Sequence, residues 1–390
     1  LVWYTWNYSW QWLFSSHSCV DGVSIYFLLL STFSIFICVL ASCNINFKNR
    51  CPEYFALFFL MGFFLVNFFT QQNLFFFFIF FEAVLIPMFL LIGIWGPRKV
   101  QRVDAAYRFF MYTFLGSIPM LLAIFYIYSK VGTVNWFYFA YHPSYHDAHS
   151  PIFTPYEEVC LWFSFFISFA VKIPLVPFHT WLPEAHVEAP TPVSMILASV
   201  LLKMGGYGYL HFSLILFPFA SSFCYNFYTV CCLLSILYGC ACAMTHIDFK
   251  KIVAYSSISH MGYSMLVLGG LPSSQALDGC VITMISHGFV SLAMFFSIGF
   301  LYERYGTRTI PYYTNVSILH PSFSFFFLFF CLANMGFPGT SGFVGELLIL
   351  IYLMKINFGC SLIAAFSIIF SSVYNLWMFN RICWGSQAVN

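Results

Sequence analysis

Apolar segments of about 20 residues recur along the chain, and they constrain the fold more than any other feature. We count eleven of them, at roughly 20–42, 54–70, 74–95, 107–129, 158–178, 191–217, 225–246, 252–270, 276–302, 322–355 and 358–384. A helix of that length spans a hydrocarbon core of about 30 Å. Because lipid offers the backbone no hydrogen-bond partners, spanning segments of this kind are helical. We therefore expect an all-α polytopic membrane protein.

Composition supports the membrane assignment and excludes other classes. The chain is 61% hydrophobic and 7% charged, whereas soluble domains carry about 25% charged residues. The net charge of +2 comes without a basic patch that could follow a phosphate backbone, so no nucleic-acid partner is expected. The 14 cysteines are scattered without a Cys-x-x-Cys pair, which predicts buried thiols rather than disulfides or iron–sulfur ligands.

Basic residues in the loops predict the orientation. Nearly all of them follow odd-numbered segments, which places those loops on the matrix or cytoplasmic side. They are Lys48, Arg50, Arg98, Lys99, Arg102, Lys250, Lys251, Arg304 and Arg308. The loop 130–157 on the other side contains His142, His146 and His149, which could be read as a metal site. A solvated loop fits them better, and no metal is expected.

Two lysines interrupt the most informative stretch, residues 157–210. Lys172 and Lys203 each lie well inside an apolar segment. An ionisable group at membrane depth is costly and is usually functional. Pro174 and Pro177 follow Lys172 and break its helix, and a broken helix is tolerated only where the freed groups face protein or water. This pattern predicts a proton or ion site, the alternative being a proline kink with a snorkelling lysine.

A second break suggests an internal repeat. The segment Gly336–Gly342 interrupts the long span 322–355, at a distance from Tyr225 similar to that between Tyr54 and the Lys172–Pro177 break. Five spans per unit would insert the second copy the opposite way, as in transporters with inverted repeats. We therefore divide the chain into an interfacial segment and first helix (1–53), two five-helix repeats (54–217 and 218–384), and a tail (385–390).

The sequence KIPLVPFHTWLPEAHVEAPTPVSMILASVLLKMGGYGYL, residues 172–210, resembles a known family. It is similar to the antiporter-like proton-channel subunits of NADH–ubiquinone oxidoreductase (complex I) and to the related cation/proton antiporters. Within this family the pattern is similar to the chain 4 type rather than the chain 5 type. The resemblance covers the third to thirteenth helices of a fourteen-helix pattern, so the first two and the last are expected to be lacking from this sequence.

Two ionisable residues form the expected first half of a proton path. Glu82 lies deep in the third segment, where desolvation requires a carboxylate to be protonated or paired. Lys172 is its natural partner. The resemblance implies the same roles, with Glu82 as the paired acid and Lys172 as the central switch. The alternative for Glu82 is a cap on a lipid-facing kink.

Further residues extend the expected path. The resemblance places Lys203 on the central proton path, His287 at a relay position, and Glu346 as the terminal carrier in the second broken helix. His287 could instead be a hydrogen-bonded core histidine, and Glu346 a helix cap. His260 and Lys251 also match the family, and the cluster 248–251 that contains Lys251 is expected at the surface. His179 and His186 could be either entry-side or structural residues.

The resemblance implies a proton-translocating subunit of complex I in the mitochondrial inner membrane. A content of 53 phenylalanines in 390 residues suits an AT-rich organelle genome. No cofactor is expected in this chain, since FMN and iron–sulfur clusters would lie in other subunits. The expected partners are other membrane-arm subunits, including the chain 2-like and chain 5-like ones, and membrane lipids. A stand-alone cation/proton antiporter and a non-conducting scaffold are the alternatives.

Overall fold

The computed structural model describes residues 4–6, 18–43, 50–141, 152–270 and 272–384. The expected all-α class is confirmed in these ranges, with one small addition. Strands β1 (Tyr4–Trp6) and β2 (Ser18–Val20) form an antiparallel ribbon. His142, His146, His149 and the tail 385–390 lie outside the described residues.

The remaining elements are helices. The first six are α1 (Ser24–Ser42), α2 (Cys51–Thr70), α3 (Leu74–Ala83), α4 (Leu85–Trp95), α5 (Lys99–Val131) and α6 (Trp136–Tyr141). The next six are α7 (Pro155–Lys172), α8 (Trp181–Glu188), α9 (Thr191–Leu216), α10 (Pro218–Phe223), α11 (Tyr225–Thr245) and α12 (Phe249–Met265). The last five are α13 (Ser274–Tyr305), α14 (Val316–Leu319), α15 (Pro321–Asn334), α16 (Ser341–Ile356) and α17 (Phe358–Cys383). Helix α9 contains two π-helical stretches, Leu197–Leu201 and Tyr209–Ser213.

Eight helical stretches are long and apolar enough to cross a membrane, within the described ranges. They correspond to α1, α2, α3 with α4, α5, α9, α11, α13 and α17. The three other predicted spans are less clear by length and composition. Helix α7 carries Glu157, Glu158 and Lys172, α12 has 17 residues, and the span predicted over 322–355 is divided into α15 and α16. The count of eleven therefore stays a prediction.

Local sequence explains where the main helices begin. Thr154 and Glu157 form a reciprocal capping box at the start of α7. Asn73, Asp248 and Ser273 each accept a backbone N–H in the first turn of α3, α12 and α13. These caps satisfy donors that have no partner within the helix.

The core lies around α9 and α13. In an apolar stretch of 18 consecutive residues of α9, 94% are buried. Helix α13 packs against α1, α9, α12, α15 and α16. The peripheral helices expose large apolar side chains such as Phe59, Leu122 and Phe366. Apolar residues therefore face outward as well as inward, as expected in lipid.

Candidate functional site

Two interrupted helices frame the buried ionisable residues. Helix α7 ends at Lys172 and the chain resumes as α8 at Trp181, so the prolines at 174 and 177 do break the helix. Helix α15 ends at Asn334 and α16 begins at Ser341. Both predicted breaks are therefore present, and each adjoins an ionisable side chain.

Glu82 lies in the last turn of α3, beside a third interruption. Pro87 has no N–H to offer the Ala83 carbonyl, and α3 gives way to α4 at Val84. Both carboxylate oxygens are buried and without a hydrogen-bond partner among the described residues. Ser117 lies beside the carboxylate, but its hydroxyl donates to the Phe114 carbonyl at 2.8 Å. Glu82 is thus a buried acid with free hydrogen-bonding capacity.

Lys172 lies close to Glu82, its expected partner, and is hydrogen-bonded to a neighbouring carbonyl. Its Nζ donates to the Phe81 carbonyl at 3.0 Å and lies 4.1 Å from the centre of the Phe81 ring. Lys172 and Glu82 interact electrostatically, yet no ion pair shorter than 4.0 Å joins them in the described chain. The ammonium is therefore bound at the residue preceding the acid.

Lys203 is fully buried on α9, directly after the first π-helical stretch. Its Nζ donates to the Ala198 carbonyl at 2.6 Å and lies 2.8 Å from His287 Nδ1. A Cβ at Gly205 would lie 2.6 Å from the Ile173 side chain, so the broken end of α7 packs directly on the backbone of α9. Short π-helical stretches within α-helices are frequent at functional sites.

His287 begins a series of contacts that leads to Glu346. His287 Nε2 lies 3.2 Å from Ser257 Oγ, and its ring centroid lies 5.5 Å from that of His260. His260 Nδ1 lies 3.3 Å from Glu346 Oε1. Four residues that are far apart in sequence, on α9, α13, α12 and α16, are thereby brought into one line.

A small polar cavity lies along this line. Its volume is about 20 Å³, measured as the space open to the centre of a water molecule, which is room for a single water. Its walls come from α12, α13, α15 and α16. They include His260, Tyr263, Thr283, Ser286, His287, Val290, Ala333, Asn334, Gly342 and Glu346. The cavity therefore adjoins both histidines and Glu346.

The second helix break positions Glu346. Gly336 adopts a φ of +72°, a left-handed conformation that favours glycine. A Cβ at this position would lie 2.6 Å from Glu346 Oε2. The glycine therefore allows both the turn between α15 and α16 and the approach of the carboxylate.

Two residues that the sequence analysis named but did not place on the proton path are buried. His186 is fully buried, stacks on Phe295 at 4.6 Å, and has no partner at either ring nitrogen within the described ranges. Lys250 is buried, and its Nζ donates to the Ala189 carbonyl at 2.7 Å. The expectation that 248–251 forms a surface cluster is wrong for Lys250. The sequence did contain a sign that Lys250 is buried. Val253 and Ser257 follow it by three and seven residues, and residues at these spacings share one face of a helix.

Lys251, by contrast, is half-exposed and lines a charged basin at one end of the bundle. The basin has a volume of about 390 Å³. Arg108 pairs with Glu184 at 2.8 Å, and Arg98 lies 3.6 Å from Glu188. The loops after the third and seventh predicted spans meet here, as expected of loops on one membrane side.

Comparison with known proteins identifies the family. Residues 71–371 match the family described as NADH:quinone oxidoreductase/Mrp antiporter, TM. The chain belongs to this family. The matched region contains Glu82, Lys172, Lys203, Lys251, His260, His287 and Glu346.

Named relatives show which branch of the NADH:quinone oxidoreductase/Mrp antiporter family this chain is similar to. NADH-ubiquinone oxidoreductase chain 4 of Chondrus crispus is 46% identical over 367 residues, covering 94% of this chain and 72% of that protein. NADH-quinone oxidoreductase subunit M of Rhodobacter capsulatus is 40% identical over 373 residues, covering 94% and 71%. Both belong to the NADH oxidoreductase branch, as the sequence resemblance predicted.

Solved structures of the family agree in fold. A chain of respiratory complex I from Thermus thermophilus with bound NADH superposes with a TM-score of 0.86 at 29% identity, over 96% of this chain and 76% of that chain. A chain of the Mrp complex from Dietzia sp. DQ12-45-1b gives a TM-score of 0.84 at 22% identity, over 95% and 68%. The second likeness concerns the fold alone.

Proposed function

We propose that this chain is a proton-translocating membrane-arm subunit of respiratory NADH:ubiquinone oxidoreductase, located in the mitochondrial inner membrane. Its relatives named above are chain 4 and subunit M of that enzyme. One structural observation carries the mechanism. Lys203, His287, His260 and Glu346 form a line of titratable groups inside an apolar bundle.

The first transfer in this line runs from Lys203 to His287. Their nitrogens are 2.8 Å apart, within hydrogen-bond range. With Lys203 charged, its ammonium donates to His287 Nδ1, and the histidine Nε2–H donates to Ser257 Oγ. Moving the proton leaves a neutral amine held at the Ala198 carbonyl and an imidazolium. Histidine suits this role because its charge changes near neutral pH.

The second transfer runs from His287 to Glu346. The two histidine rings, with centroids 5.5 Å apart, form no direct hydrogen bond, and His260 Nε2 has no partner in the described part of the chain, but the cavity beside them has room for one water. A water there would bridge the rings. His260 then passes the proton to Glu346, whose oxygen lies 3.3 Å from its Nδ1.

The other half of the path supplies a switch. Lys172 is bound at the Phe81 carbonyl, while the adjacent Glu82 carboxylate has no hydrogen-bond partner in the described part of the chain. A small movement at the interruption between α3 and α4 would let the ammonium leave the carbonyl for the acid. Because opposite charges stabilise each other strongly in a low-dielectric interior, this exchange would change how readily Lys172 releases its proton. Movement in a neighbouring subunit would then drive transfer.

The finer architecture belongs to the same proposal. The two helix breaks, at 173–180 and 335–340, each adjoin an ionisable residue, as expected for eleven spans arranged as two inverted five-helix repeats. The proposed partners are membrane-arm subunits, including the chain 2-like and chain 5-like ones, and lipids. FMN and iron–sulfur clusters are assigned to other subunits, and this chain contributes proton transfer.

Replacing Lys203 with Met tests the proposal. The substitution keeps the side-chain volume and removes a buried charge, so we expect assembly to be retained. Because positioned proton-transfer groups contribute about 100-fold or more, proton pumping per NADH oxidised should fall at least about tenfold. The matched control is Lys355→Met, which removes an exposed lysine from the last turn of α16. The measurement is fluorescence quenching by a pH-sensitive dye in proteoliposomes containing the intact complex.

Two outcomes would contradict the proposal. Equal pumping by Lys203→Met and Lys355→Met would support the non-conducting scaffold. Migration of the chain apart from NADH dehydrogenase activity on a native gel, together with sodium-driven proton movement, would support the stand-alone antiporter.

A further inference from the structure

A long apolar groove lies on the outer surface of the bundle, away from the proton path. It has a volume of about 770 Å³ and is formed by α1, α13 and α15. Its lining is almost wholly aliphatic and aromatic, with Phe296 48% and Phe326 58% exposed. Because apolar exposure is ordinary on the lipid-facing surface of a membrane bundle, it is the concave shape of the groove that indicates a bound apolar ligand. In lipid the candidates are an acyl chain and a helix of a neighbouring subunit.

The length of the groove favours an acyl chain. On α13 the lining runs from Phe289 to Phe300, and on α15 from Ser322 to Phe330, which correspond to about 16 Å and 12 Å of helix. Half of the hydrocarbon core measures about 15 Å. The groove therefore spans a single leaflet, whereas a partner's membrane helix would require contact across both leaflets.

An arginine side chain, Arg304, lies at one end of the groove. The Arg304 guanidinium lies one turn beyond the last lining residue of α13 and 4.2 Å from the centre of the Phe300 ring. Arg304 is exposed and forms no ion pair within 4.0 Å with any described carboxylate, its neighbour Glu303 included. The Ser322 hydroxyl and the His320 ring, 5.9 Å from Phe300, lie at the same end. Arginine recognises phosphate oxygens well because its fork of N–H donors matches them.

We propose that this groove is a specific site for an anionic phospholipid. One acyl chain lies among the phenylalanines of α1, α13 and α15, and the headgroup phosphate binds Arg304. The predicted orientation places Arg304 on the basic-loop side of the membrane, so the lipid belongs to that leaflet.

The groove shares two helices with the proton path. On α13, His287 and Val290 face the polar cavity, while Phe289, Leu292 and Ala293 face the groove. On α15, Ala333 and Asn334 line the cavity, and Phe326, Phe327 and Phe330 line the groove. A lipid in the groove would therefore press against the outer faces of the helices that hold His287 and the second break. The site itself does not depend on the proposed function.

Photo-crosslinking tests the proposal on the intact complex that contains this chain. The probes are phosphatidylglycerol and phosphatidylcholine with a diazirine in one acyl chain, and labelled peptides are mapped by mass spectrometry. We expect phosphatidylglycerol to label α13 and α15 in preference to phosphatidylcholine. In Arg304→Gln that preference should fall about fivefold, since one arginine near a lipid surface is worth about 1 kcal/mol.

Two further variants separate headgroup from acyl-chain binding. Ala293→Phe places a ring in the groove and should remove labelling by both lipids, whereas Ala365→Phe on α17, outside the groove, should not. Arg381→Gln removes an exposed arginine from the last turn of α17 and should keep the wild-type preference. An unchanged phosphatidylglycerol preference in Arg304→Gln would overturn the proposal. So would crosslinks from the groove to a helix of another subunit in place of lipid.

Discussion

Replacing Gly336 with Ala should disturb proton transfer without a matching loss of stability. Gly336 has a φ of +72°, and an alanine Cβ would lie 2.6 Å from Glu346 Oε2. A left-handed φ costs a residue with a Cβ about 1–2 kcal/mol. The steric conflict adds little to this energy, because the atom in the way is the far end of a flexible side chain. The added Cβ does, however, displace the Glu346 carboxylate.

The size of that movement follows from the contact distance. An ordinary Cβ contact of 3.4–4 Å requires the carboxylate oxygen to move by about 0.8–1.4 Å from its present 2.6 Å. If this shift lies along the line to His260, the present separation of 3.3 Å between His260 Nδ1 and the carboxylate grows to about 4.1–4.7 Å, beyond hydrogen-bond range. Since a misplacement of about 1 Å can lower a rate 100-fold, we expect proton pumping to fall about tenfold.

Gly306→Ala provides the matched control. Gly306 caps α13 with a φ of +70°, and no atom lies within 4 Å of its added Cβ. Both variants therefore carry the same backbone strain, and only one displaces Glu346. The assay measures proton uptake by proteoliposomes per NADH oxidised, with the melting temperature of the complex recorded in parallel.

Comparison of the two variants separates the effect of displacing the Glu346 carboxylate from the effect of backbone strain. Equal losses of stability with a pumping defect only in Gly336→Ala would confirm that the carboxylate position matters. Wild-type pumping in a folded Gly336→Ala complex would refute the reasoning, because the His260–Glu346 contact would then be dispensable. A pumping defect of the same size in Gly306→Ala would assign the effect to backbone strain instead.

Two further predictions concern His186 and Lys250, the buried residues that the sequence analysis did not place on the proton path. His186→Phe should keep or raise the melting temperature, because a buried polar atom without a partner costs about 1–3 kcal/mol. It should lower pumping severalfold if the imidazole carries protons, and unchanged pumping would show that stacking on Phe295 is its whole role. Lys250→Met should lower pumping severalfold and Lys251→Met by less than about twofold, because only the first lysine is buried and bound at a carbonyl. A larger pumping defect in Lys251→Met than in Lys250→Met, measured by the same proteoliposome assay, would instead identify Lys251 as the functional residue.

The lengths and breaks of the helices could be predicted from sequence because they depend on local chemistry. Three features determine the structure of only the residues next to them in sequence. They are the long apolar segments, the prolines after Lys172 and the glycine-rich break before Ser341. The number of membrane spans was harder to establish. Helix α7 carries three charges and α12 is short, so neither stands out by hydropathy alone.

The contacts within the site could not be predicted in the same way. His260 and His287 are 27 residues apart on different helices, and their 5.5 Å separation depends on how α12 packs against α13. The pairing of Glu82 with Lys172 was inferred from charge and from the resemblance, and neither could predict that the ammonium, while interacting electrostatically with the acid, donates its hydrogen bond to the Phe81 carbonyl. Sequence identified which groups are ionisable and buried, while packing decides which of them touch.

The distribution of these groups over broken and continuous helices has a mechanistic consequence. Glu82, Lys172 and Glu346 lie within two turns of a helix interruption, at 84, 173–180 and 335–340 respectively. His260 and His287 lie within the uninterrupted helices α12 and α13. A helix end beside a break can shift with little loss of backbone hydrogen bonding, whereas a residue inside a continuous helix moves only with the whole helix. The acids and Lys172 are therefore placed to change partners, and the histidines to hold a fixed line between them. Under the proposed function, coupling to a neighbouring subunit needs to reach only the breaks.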